Sequence, residues 1–121
     1  MNKATLIGID LAKDIFQVCG VDKELKVVFN RTLKRGKLVD FVGRYPGVDI
    51  AMEACSGSNA WGRAFQQAGH RVLLLPPQHV KPFVKGNKND RHDALAICEA
   101  SCRPGIRFVA PRSLVQTDCL I

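Results

Sequence analysis

Apolar positions along the chain change their spacing several times, and each change marks an element. Residues 4–10 form an apolar run that ends in an acid, Asp10, the pattern of a buried strand with a carboxylate at its carboxyl end. Residues 14–22 follow as a second strand with Phe16 and Val18 on one face. The polar stretch 22–24 is short enough for a hairpin turn, and the alternating residues 25–32 make a third strand. Three strands joined by short links form an antiparallel meander. After a basic turn at Lys34-Arg35-Gly36, the i, i+3, i+4 spacing of Leu38, Phe41 and Val42 predicts an amphipathic helix over 37–44, ended by Pro46-Gly47.

The second half alternates between strand and helix. Residues 48–53 form a fourth strand that, like the first, ends in an acid, Glu53. Ser56-Gly-Ser-Asn59 is a helix-start signal, with Trp61, Ala64, Phe65 and Ala68 as the expected buried face and Gly69 at the C′ position. Residues 70–75 are continuously apolar, a strand covered on both faces. A short helix over 78–84, a polar loop over 85–89, a helix over 90–102 and a strand or extended tail over 106–109 complete the reading. The order β-β-β-α-β-α-β-α predicts an α/β fold with a mixed five-stranded sheet flanked by helices. A right-handed crossover after the third strand lays the fourth parallel to the first, about 4.8 Å away.

That placement sets Asp10 and Glu53 side by side at the carboxyl edge of the sheet, where open α/β sheets bind ligands. An unpaired buried carboxylate is costly, and a metal ion is one way to compensate it. Asp90 and Asp93, at i, i+3 on one face of the last helix, are candidates to join them, because the apolar stripe through Ala94, Ile97 and Cys98 continues that face. The same two acids also fit a helix cap, with Asp90 at the N-cap and Asp93 three residues on, and the two roles are not exclusive. Asp14 is a weaker fifth candidate. Magnesium takes oxygen ligands, and paired divalent ions serve phosphodiester chemistry.

The charge points to a polyanionic partner. The formal net charge is +7, and no acid occurs between Glu53 and Asp90, a stretch that carries Arg63, Arg71, Lys81, Lys85 and Lys88. Lys13, Lys34, Arg35, Lys37, Lys81, Lys85, Lys88 and Arg91 are the candidate nucleic-acid contacts. Five cysteines without a CxxC argue against a disulfide framework and fit buried thiols; Cys98 and Cys102, one helical turn apart, lack a second ligand pair for zinc. No apolar run approaches the ~20 residues of a membrane span and no signal peptide opens the chain, so a cytoplasmic location is expected.

Three motifs, Gly8-Ile-Asp10-Leu-Ala-Lys13, Met52-Glu53-Ala-Cys55 with Trp61, and Asn87-Lys-Asn-Asp90-Arg-His-Asp93-Ala-Leu95, resemble the N-terminal domain of the DEDD transposases of bacterial insertion sequences, which include the Piv-type DNA invertases. The resemblance covers residues 3 to 112. It implies a RuvC-like, ribonuclease-H-like fold and a magnesium site (manganese being a possible substitute) built by Asp10, Glu53, Asp90 and Asp93. It also implies DNA cleavage and strand exchange guided by a structured bridge RNA, in a full-length protein that forms homo-oligomers. Family members carry a further domain with a catalytic serine. Residues 1–112 are thus expected to form the RuvC-like domain and 113–121 a divergent or truncated tail, leaving a chain that is inactive alone. Competing readings are a Holliday-junction resolvase-like nuclease, a non-catalytic nucleic-acid-binding remnant, and an actin-like ATPase. The last lacks its glycine- and threonine-rich phosphate loop at Ala12-Lys13-Asp14.

Overall fold

The computed structural model describes residues 3–11, 15–54, 57–76, 80 and 90–102, with backbone alone over 90–93. The connection at 12–14, the helix expected over 78–84 apart from Val80, the loop 85–89 and everything from 103 onward, including strand 106–109, lie outside the described residues. The strands are β1 (Leu6–Asp10), β2 (Ile15–Val21), β3 (Val27–Lys34), β4 (Asp49–Glu53) and β5 (Val72–Leu75). The helices are α1 (Leu38–Val42), α2 (Ser58–Gln67) and α3 (Asp90–Ser101), and a 3-10 turn at Arg35–Lys37 precedes α1.

The strands form one sheet in the order β3-β2-β1-β4-β5. The meander is antiparallel, whereas β1–β4 and β4–β5 are parallel, as the strand order predicted. Asp22 turns the β2–β3 hairpin: its Oδ1 accepts the backbone N–H groups of Glu24 (2.9 Å) and Lys26 (3.0 Å). That satisfies two backbone donors that the loop would otherwise leave to water. Leu25 takes the left-handed conformation within it (φ 63°).

Strand alternation divides the apolar residues between two cores. Ile7, Ile9, Phe16, Val18, Ile50, Met52, Val72 and Leu74 face one way and pack with Leu38, Phe41 and Val42 of α1 and Phe65 of α2. Leu6, Cys19, Val21, Ala51 and Leu75 face the other way and pack with Ala94, Ala96, Ile97, Cys98 and Ala100 of α3. The result is a three-layer α/β/α arrangement, and it buries β5 from both sides as its continuous apolar run predicted.

Several boundaries and one helix face differ from the sequence-based expectation, with α1 shorter than 37–44 and β3 beginning at Val27. β3 extends through Lys34, so the basic turn begins at Arg35. α2 starts at Ser58 with Gly57 as its N-cap, and no side chain caps it. Its buried face is Ser58, Gly62 and Phe65 with half-buried Trp61, whereas Ala64 and Ala68 are exposed. Alanine is too small to dictate which way a helix turns. Gly69 does sit at C′, with φ +97°, where a side chain would be strained.

α3 lies very close to β1. A Cβ added at Gly8 would stand 2.6 Å from the Ala94 carbonyl oxygen and 2.6 Å from Cys98 Sγ. The helix backbone thus rests directly on the strand, and only glycine permits this. Gly8→Ala is expected to overpack this contact and lower stability by about 1–3 kcal/mol. Urea unfolding followed by circular dichroism measures it, and an unchanged midpoint would contradict the packing of α3 on β1.

Candidate nucleic-acid-processing edge

Sheet register decides which side chains share the carboxyl edge. β1 and β4 run in parallel with Ile9 beside Met52, so the next residues, Asp10 and Glu53, are neighbours. Gly8 and Ala51 lie on the α3 face of the sheet, and a period of two puts Asp10 and Glu53 on that face as well. Both are half-buried.

α3 runs antiparallel to β1. Ala94 rests on Gly8, while Ser101 and Cys102 share a cavity with Thr5 and Leu6 at the strand's other end. From Ala94 back to Asp90 the helix rises about 6 Å, and from Gly8 to Asp10 the strand rises about 6.6 Å. The backbone at the first turn of α3, which carries Asp90 and Asp93, is therefore level with Asp10. Asp90 is the first helical residue. Asp14 lies outside the described residues.

The row extends past the acids. Asp10 pairs with Gln17, and Gln17 pairs with Thr32. Glu53, Asp10, Gln17 and Thr32 thus cross four adjacent strands on one face. Gln17 is 2% exposed, and a buried amide is tolerated only when hydrogen-bonded. Its Nε2 donates to Asn30 Oδ1 (2.5 Å) and its Oε1 accepts from Thr32 Oγ1 (2.7 Å). This polar network was missed in the sequence, where the one signal was a glutamine inside an otherwise apolar strand.

The donor set at this edge is oxygen, the chemistry of hard divalent cations. Among the described residues no three His, Cys, Asp or Glu side chains form a metal-binding group. Asp10 and Glu53 are within that set, while the side chains of Asp90 and Asp93 are not. Cysteine offers no alternative here. Cys19 and Cys98 are buried below the row, and a hydrogen bond to Cys19 together with burial pushes the Cys98 thiol well above its ordinary range. Cys102 is exposed rather than buried, and among the described residues it joins no group of three metal-binding side chains.

Of the candidate nucleic-acid contacts, Lys34, Arg35 and Lys37 are exposed at the end of β3 and in the turn after it. Lys34 lies opposite Ile15, two strands across and two residues beyond Asp10, about 12 Å away by strand geometry. Lys13, Lys81, Lys85 and Lys88 lie outside the described residues, and Arg91 is placed by its backbone in the first turn of α3. Within the acid-free stretch, Arg71 sits at the opposite edge of the sheet and pairs with Asp49 at 2.6 Å. Among the described residues no helix is long and apolar enough to cross a membrane.

Comparison with known proteins agrees with this architecture. The solved structure of T. thermophilus RuvC in complex with Holliday junction substrate superposes with a TM-score of 0.59 at 14% identity, over 78% of this chain and 90% of that one. At that identity the likeness is one of fold, which is RuvC-like. A "Probable family 20 transposase" of Pseudomonas aeruginosa is 51% identical over 110 residues, 91% of this chain and 32% of its own length. The "Transposase for insertion sequence element IS1111A" of Coxiella burnetii is 46% identical over 118 residues, 98% of this chain and 32% of its own length. The chain therefore spans about a third of the length of these relatives. The family model for IS110-type DEDD transposases, described as "Transposase", matches residues 7–117. The chain belongs to the IS110-type DEDD transposase family.

Proposed function

We propose that these residues form the metal-dependent DNA-cleaving part of an insertion-sequence transposase, with Asp10, Glu53, Asp90 and Asp93 as its carboxylates. The observation that carries the reading is the parallel register of β1 and β4, which sets Asp10 beside Glu53 with the first turn of α3 level with them. Carboxylates from three elements at one edge suit magnesium, or manganese in its place. Divalent ions held there would activate an attacking oxygen and stabilise a leaving one at a DNA phosphodiester. The protein's own part is positional. The Gly8 contact holds the start of α3 at the strand end, and the Gln17 network keeps the neighbouring strands rigid beside Asp10.

DNA is the proposed substrate, and a structured guide RNA and further copies of the protein are the proposed partners of the longer family members. Strand exchange is assigned to those longer proteins, and cleavage to these residues. A second reading is a junction-resolving nuclease, favoured by the 90% coverage of a RuvC chain. Cleavage of four-way junctions without RNA supports it, and RNA-dependent cutting of linear DNA supports the transposase. Metal-independent, salt-sensitive binding without cleavage would instead mark a non-catalytic remnant.

Calorimetric titration with manganese tests the site. Binding is expected in the native chain and should weaken by about a hundredfold or more in Asp10→Ala, since even outer-shell partners cost roughly ten- to a hundredfold. Absent binding, or binding unchanged by Asp10→Ala, would overturn the metal assignment.

A further inference from the structure

The outer strand β3 and the turn after it carry four cations in seven residues: Arg31, Lys34, Arg35 and Lys37. All four are exposed, and no acid occurs between Lys26 and Asp40. Among the described residues the ion pairs are Lys26–Glu24 and Arg71–Asp49, and none involves these four. Such a concentration of like charge repels itself and favours a polyanionic partner.

Two of the cations are held in place by aromatic rings. The Arg31 guanidinium lies 5.7 Å from the centre of the Phe41 ring, and the Arg35 guanidinium lies 5.8 Å from that of Trp61. Those rings are themselves fixed. Phe41 packs edge-on to Phe29 at 5.1 Å. Trp61 meets Phe16 edge-on at 5.4 Å and stacks on Phe65 at 5.8 Å. A guanidinium resting on a ring keeps its N–H fork for a phosphate and its outer face for a nucleobase. Long exposed arginines otherwise lose rotamer entropy on binding, so this stacking meets part of that cost beforehand.

We propose that Arg31, Lys34, Arg35 and Lys37, with Phe41 and Trp61 beneath the two arginines, form a track for an unpaired nucleic-acid strand running along β3 toward the carboxylate edge. The proposal rests on the nucleic-acid-processing reading above and extends it to a surface and a kind of partner. An unpaired strand fits better than a duplex because its bases can stack on the guanidinium faces, whereas a duplex offers phosphates alone. Lys34 projects from the opposite face of β3 to Arg31, so cations flank both sides of the outer strand.

Trp61 is the single tryptophan in the chain, so its emission reports the Arg35 site directly. The test titrates the 121-residue chain with a mixed-sequence single strand of about 12 nucleotides, within the usual site sizes, and with the matching duplex. Saturable binding of the single strand with a change in Trp61 emission is expected. Replacing Arg31 and Arg35 together by glutamine should flatten the slope of log affinity against log salt by about 1.4, the value for two lost phosphate contacts on a single strand. Arg35→Lys keeps the charge and the slope, but should shrink the emission change and weaken binding about tenfold. Binding without a Trp61 response, an unchanged slope in the double variant, or a preference for the duplex would overturn the track. Asp10→Asn separates the two readings: strand binding and the Trp61 response should survive it while manganese binding is lost. If manganese never binds but the strand still does, the carboxylate reading fails and the track stands.

Discussion

The backbone contact between α3 and β1 at Gly8 is the constraint on which the site depends. Helices usually ride on a sheet across a layer of side chains; here the Ala94 carbonyl and Cys98 meet the strand itself. The contact fixes the height of the helix along the strand, because sliding by one turn would move the glycine out of register with Ala94. It also fixes the direction, with the start of α3 at the carboxyl end of β1. Small residues continue the interface, as Ala94, Ala96, Cys98 and Ala100 are all buried. The position of the first turn of α3 relative to Asp10 and Glu53 follows from this packing.

The edge divides its charges by face. Asp10 and Glu53 rise on the α3 side, whereas Arg31 and Arg35 lean onto the aromatic rings of the α1 and α2 layer. A single outer strand, β3, joins the two regions, and the Gln17–Asn30–Thr32 network ties it to the centre of the sheet. Neutral hydrogen-bonding groups therefore separate acid from base along the row. This spacing sets Arg31 and Arg35 apart from the carboxylates while leaving both within reach of one polyanion.

Much of this was legible in the residues. Apolar runs ending in Asp10 and Glu53, together with the strand order, sufficed to predict the parallel β1–β4 pair and the shared edge. Where the reading went astray, the cause was local information too weak to decide. The buried face of α2 runs through Ser58, Gly62 and Phe65 with Trp61 rather than through Ala64 and Ala68, because alanines carry too little apolar surface to decide a face. The role of Gln17 depends on partners 13 and 15 residues away on another strand, so no local window reveals it. Arg71 looked like part of a basic stretch, yet a paired Asp49 from β4 claims it at the far edge. Gly8 was read as part of a motif, and its packing role became visible only with α3 in place.

The proposed divalent-ion site draws its carboxylates from three elements. Nuclear magnetic resonance with substoichiometric manganese tests it most directly, because the paramagnetic ion broadens nearby amide signals. Simultaneous broadening is expected at Ile9 and Asp10, at Met52 and Glu53, and at the first turn of α3, with Thr5, Arg71 and Ser101 at the other edge unaffected. Broadening that spares the first turn of α3, or that centres on the far edge, would contradict it.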